Sequence, residues 1–145
     1  MSDYRPRHVI DFHTHVFPER VAARAMENLC STYEVTAAGE ATPAGLVGVM
    51  DEGGIDASVV APVATRAGQV RSINEWAAGI RSERIIPFGA IHPDLPDPSS
   101  EVEHMVNEGE QSGALDHEQS EMIRNVLDFG DLTTGEVMVP RIDVV

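Results

Sequence analysis

At 145 residues, 42% of them hydrophobic and 23% charged, the chain is long enough to bury one core and too apolar for a disordered segment. Its net charge is −14: residues 1–100 hold 13 acids against 8 arginines, and residues 101–145 hold 11 acids against Arg124 and Arg141. That balance excludes nucleic acid and anionic membrane as partners, because phosphate binding requires local positive charge.

No run approaches the roughly 20 apolar residues of a membrane span, which predicts no membrane insertion. Met1 to His8 lacks the apolar stretch of a secretory signal, and a single cysteine, Cys30, leaves no internal disulfide. The expected location is cytoplasmic. Every basic residue is arginine.

His8-Val9-Ile10-Asp11-Phe12 is short, apolar and β-branched at its centre, as a buried parallel strand is. After Phe17-Pro18, the spacing of Val21, Ala25, Met26 and Leu29 predicts a helix with those residues inward. Thr42-Pro43 reads as an N-cap with proline at the first helical position. Leu46, Val47 and Met50 supply the buried face of that second helix, and Gly53-Gly54 ends it. Ala57 to Pro62 is the next strand. A third helix, about Val70 to Glu83, carries Ile73, Trp76, Ala77 and Ile80 toward the core. Ile85 to Ile91 is a third strand, with Pro87 marking its first residue or an irregular entry. A fourth helix opens at Pro96-Asp97-Pro98 and runs to about Glu108. A fifth, 116–128, is capped by Asp116, with Met122, Ile123, Val126 and Leu127 as its apolar stripe. The runs 136–140 and 142–145 read as short extended segments. Alternation of strands and helices at this spacing predicts an α/β fold with a parallel sheet.

Asp11-Phe12-His13-Thr14-His15 carries the chemistry. On a strand, residues two apart point to the same side, so His13 and His15 can converge on one ion. Neutral imidazole suits zinc and other first-row divalent metals. Asp11 shares that parity and could orient a ring through its far nitrogen. A bare His-x-His recurs by chance; what gives this one weight is its place at the end of the first strand, the rim where barrel enzymes hold their chemistry. The alternative is two solvent-facing histidines in a loop.

His92 ends the third strand on the same rim and is a substrate-binding candidate or a loop histidine. Thr65 and Arg66 follow the second strand, where Arg66 could hold a substrate carboxylate or simply face solvent. Trp76 and Cys30 read as core residues. His104 and His117 have no partners at metal spacing, His8 precedes the first strand and reads as exposed, and the acids of 101–121 read as a solvated helix face.

The run from Val9 to Pro18 resembles the opening of the amidohydrolase superfamily, in its branch of smaller metal-dependent hydrolases and decarboxylases. The resemblance continues through 50–60, 69–77 and 85–94 and covers about residues 1–105. It implies the first three βα units of a (β/α)₈ barrel, with His13 and His15 as ligands of a divalent ion, zinc first, and a small-molecule substrate. In that family the remaining ligands and the aspartate that serves as general base lie beyond the equivalent of residue 110. Asp128, Asp131 and Asp143 do not stand in that context. The implied function is a metal-dependent hydrolase present as a truncated part, weakly metal-bound and inactive alone.

Residues 106–145 resemble something different. Val106 to Leu115, Asp116 to Ile123, Val126 to Thr133 and Glu136 to Val145, with its Met138-Val139-Pro140-Arg141 run, together look like the cytoplasmic linker and first CBS strand of hemolysin-like magnesium and cobalt transporters. The chain therefore reads as a chimera of two domains, 1–105 and 106–145. Two non-hydrolytic alternatives follow from that: an interaction module, or a cytoplasmic piece of a CBS-containing, transport-associated protein. An open parallel sheet with unpaired edges also predicts self-association.

Overall fold

A computed structural model describes residues 8–36 and 39–131. The chain divides after Pro96 into two compact units, Met1–Pro96 and Asp97–Val145. The change of resemblance at 105/106 falls inside a helix of the second.

In the first unit, β1 (Ile10–Thr14), β2 (Ala57–Val60) and β3 (Ile85–Pro87) form one parallel sheet in the order β1-β2-β3. Two helices, α1 (Glu19–Tyr33) and α2 (Pro43–Gly53), lie between β1 and β2 in sequence. A 3₁₀ turn, Ala67–Gln69, leads into α3 (Val70–Gly79) before β3. The helix boundaries follow their caps. Thr42 accepts a hydrogen bond from the Gly45 amide at 3.0 Å, Pro43 fills the first turn, and Gly54 closes α2 at φ +64, a conformation glycine adopts without strain. Glu34 closes α1 in the same left-handed region without that freedom.

The core lies where the strand ends meet the helices. Val16, Val60 and Ile85 are buried together, with Leu46 and Val47 of α2, Trp76 of α3 and Ile80 packed against them. Trp76 thus packs against the core from a partly buried position, and Cys30 is half-buried. Arg84 ties the start of β3 to its neighbours: its guanidinium donates to Asp51 Oδ1 at 2.6 Å and to the carbonyls of Ile55 and Asp56. Asp56 in turn accepts from the Val9 amide at 2.7 Å, fixing the entry to β1.

The second unit contains α4 (Pro98–Gln111) and α5 (His117–Asp131). Asp97 caps α4 through the Ser100 amide. Asp116 and Gln119 cap α5 reciprocally, each side chain accepting from the other's backbone N–H. Arg124 of α5 reaches Asn107 and Glu110 of α4 at 2.8 and 2.9 Å, so the side of α5 that carries it faces α4. Met122 and Val126 do not share that side; both stay exposed, with Phe129.

The expectation of a partial (β/α)₈ barrel is overturned. The three strands, of five, four and three residues, form an open sheet whose edges are β1 and β3. Among the described residues no strand follows α4, which turns through Gly113 (φ +72) straight into α5. Closure requires strands enough to bring the two edges together at a consistent stagger, and three cannot do so. What stands is a small α/β unit with a three-stranded parallel sheet, followed by a helix pair. The extended segments expected over 136–145 lie outside the described residues.

Several element boundaries also differ, among them those of β1, β3 and α3. β1 begins and ends two residues later than its apolar run. β3 stops at Pro87, which is its last residue, paired with Val60, rather than its first. The helix from Val70 ends at Gly79. Pro87 is tolerated because β3 is an edge strand, and the chain resumes pairing at Phe88, whose amide donates to Val60 O at 2.9 Å.

Candidate metal-binding histidine pair

His13 and His15 come together at the end of β1, both exposed. Their Nε2 atoms stand 3.0 Å apart, with ring centroids at 4.9 Å and planes at 76°. The backbone explains why. Ile10 and Asp11 pair with Ala57 and Ser58, but the next partner of β2, Val60, is Thr14, so β1 carries an extra residue in this interval. Such a bulge bends a strand and re-aims its side chains. Thr14 anchors the far side: its Oγ1 donates to Val59 O at 2.9 Å, and its carbonyl accepts from the Ala61 amide.

The Ala61 carbonyl also fixes His15. It can only accept, so the His15 Nδ1 2.7 Å away carries the proton and donates it. The neutral ring then has its lone pair on Nε2, the atom facing His13. Without a cation, His13 satisfies this lone pair by donating its own Nε2–H. A divalent ion can replace that proton, leaving two imidazole nitrogens with free lone pairs 3.0 Å apart. Donors each about 2.05 Å from zinc lie roughly 2.9–3.4 Å apart between square and tetrahedral angles, and the observed separation falls inside that range. The pair therefore fits a first-row metal by donor type, tautomer and spacing.

Asp11 sits elsewhere in this arrangement. Its Oδ1 accepts from the His13 backbone amide at 3.2 Å, a local turn contact rather than a bond to a ring. The extra residue in β1 removes the simple parity between positions 11 and 13. His92 is half-buried after β3, with Nδ1 accepting from the Asp94 amide at 3.1 Å. Arg66 is exposed at the start of the 3₁₀ turn, while its neighbour Thr65 bonds to Gln69. Among the described residues no group of three or more His, Cys, Asp or Glu is spaced to hold a metal ion.

Two contributors escape a reading of the sequence. The Ala61 carbonyl is backbone, and only the pairing of the β1 and β2 ends reveals it. Asn74 is the other: its amide donates to Ala90 O at 3.1 Å and accepts from Ala90 N at 2.7 Å, holding the segment that leads to His92. A signal for Asn74 does exist, since it falls in phase with Val70 and Ala77, and all three are buried.

Compared with family models, with curated proteins and with solved structures, the chain shows no significant match. Among the described residues, no helix is long and apolar enough to cross a membrane.

Proposed function

We propose that the first unit binds a divalent metal ion, zinc first, through Nε2 of His13 and of His15, and that the associated chemistry is hydrolysis of the amidohydrolase type on a small-molecule substrate. The observation that carries this is the 3.0 Å approach of two Nε2 atoms with the His15 tautomer fixed by Ala61. When bound, a divalent ion supplies Lewis acidity, polarising a carbonyl and activating water. His15 keeps its proton on Nδ1 throughout, so its ring cannot rotate away without losing the Ala61 bond. Asp11 holds the His13 backbone in place through its amide.

Two protein ligands are fewer than the three or four of established zinc sites. The proposal therefore includes weak binding and no turnover by this chain alone. It places the chain in the cytoplasm, where Cys30 stays a thiol.

Metal titration of the dialysed protein, with bound zinc measured by plasma mass spectrometry, tests the reading. We expect zinc that is lost on dialysis against a chelator and not taken up at all by His13→Ala. Equal uptake by the wild type and by a His13→Ala, His15→Ala double variant would refute it.

A second, non-enzymatic reading as an interaction module draws on exposed apolar side chains at both sheet edges, Phe12 and Ile10 on β1 and Ile86 on β3. The transport-associated reading draws on the resemblance of residues 106–145, of which 132–145 lie outside the described residues.

A further inference from the structure

The first unit holds a groove of about 650 Å³ between α1 and the segment that runs from the end of β2 into α3. This is the size range of small-molecule sites. We propose that it binds a small apolar monocarboxylate, with the carboxylate at Arg20 and Arg24 and the apolar body along Trp76. This goes beyond the hydrolase reading and does not depend on metal at the histidine pair.

Three observations carry it. The walls are mainly apolar: Leu29, Ile73 and Trp76 line the groove, and Val21 and Val63 do so while remaining about two-fifths exposed. Apolar side chains left open inside a concavity are what an apolar ligand covers.

Charge supplies the second. Arg20 and Arg24 stand one helical turn apart on α1, and both line the groove, whereas Glu19 and Glu27 of the same helix do not. Among the described residues neither arginine lies within ion-pair distance of a carboxylate, while Arg84 and Arg124 are both taken up by acids. In a chain of net charge −14, two uncommitted guanidiniums along one apolar groove form a local anion site.

The third is a polar donor on the same wall. Gln69 Oε1 accepts from both the amide and the hydroxyl of Thr65, which leaves the Gln69 amide NH₂ to donate. Two cationic forks and one amide donor beside an apolar surface select an anionic head on an apolar body over a neutral or cationic one.

Trp76 is the chain's one tryptophan and lines this groove, so its fluorescence reports occupancy directly. The probes are decanoate, decanol and decyltrimethylammonium, each below its micelle concentration, added to the full chain in the presence of a chelator. We expect a saturable change in Trp76 emission with decanoate at a half-saturation at least ten-fold lower than with decanol, and none with the cation. An Arg20→Gln, Arg24→Gln double variant should bind decanoate and decanol alike. Val63→Asp should weaken both, and His13→Ala should leave both unchanged. Far-ultraviolet circular dichroism matching wild type establishes that each variant is folded. Equal half-saturation for the three head groups, a decanoate preference that survives in the arginine variant, or emission that never saturates would overturn the proposal. None of these results touches the metal reading, whose test is zinc uptake.

Discussion

Replacing Asn74 by alanine removes a side chain that serves the backbone of a distant residue in both directions. Asn74 is 7% exposed, and its amide donates to Ala90 O and accepts from Ala90 N. Ala90 is equally buried, so water does not readily take over either bond. A typical hydrogen bond contributes about 1 kcal/mol net, but a buried group left without its partner costs roughly 1–3 kcal/mol. Two such groups put the loss at about 2–6 kcal/mol, a large share of the ~5–15 kcal/mol that holds an ordinary domain together. Urea unfolding of Asn74→Ala measures it, and hydrogen exchange at the Ala90 amide locates it. A change under about 0.5 kcal/mol, the scatter of surface substitutions, or undiminished protection at Ala90, would refute the reasoning.

Glu110 is held below its ordinary carboxylate value of 4.5 by hydrogen bonds from Arg124 and then His117. A depressed carboxylate stabilises the folded state above that value and loses its contribution as pH falls through the folded pKa. Glu110→Gln should therefore lower the melting temperature at pH 7 and by progressively less as pH falls below 4.5; a shift that does not shrink with falling pH would refute this. Thr42→Ala should cost about 1 kcal/mol by uncapping α2, read in urea, and Thr42→Ser should restore most of it. Two open sheet edges with exposed Phe12 and Ile86 should make the protein self-associate, and light scattering that returns a monodisperse 15.7 kDa species would defeat that expectation.

Helix caps were the most legible feature of the sequence, because cap chemistry is local. Thr42-Pro43, Gly53-Gly54, Asp97 and Asp116 mark ends that the structure keeps. Strand ends were less legible, because pairing involves the backbone and ignores hydropathy. β1 extends through His13 and Thr14, since Thr14 still pairs with Val60. β3 ends early, and Asn74 takes over the backbone groups of Ala90.

Facing was misread wherever two stripes compete on one helix. Ala22, not Val21, is the buried residue of α1. On α5, Ser120 is buried while Met122 and Val126 point outward, because Arg124 fixes which side meets α4. Sheet closure was not legible at all: three βα-like segments read alike whether the sheet closes or stays open. Of the candidate site, the i, i+2 spacing of His13 and His15 was legible in the sequence. The bulge that displaces Asp11 and the carbonyl that sets the His15 tautomer both belong to the pairing of β1 with β2.

That pairing also bears on the order of assembly. Hydrogen bonds joining β1 to β2 span 47 residues, as from Val9 to Asp56, whereas Arg84 meets Asp56 across 28. The longer loop costs only about 0.5 kcal/mol more to close if the chain between is treated as flexible, but it contains both α1 and α2. The β2–β3 half is therefore the more local pairing, and contact order favours β1 as the later strand to dock. The histidine pair, whose geometry depends on Ala61 of the docked neighbour, comes into being with that last step. A partly folded chain that already has β2, α3 and β3 in place would still lack the 3.0 Å approach of the two Nε2 atoms, so under the metal proposal zinc uptake would report completion of the sheet as well as the presence of two histidines.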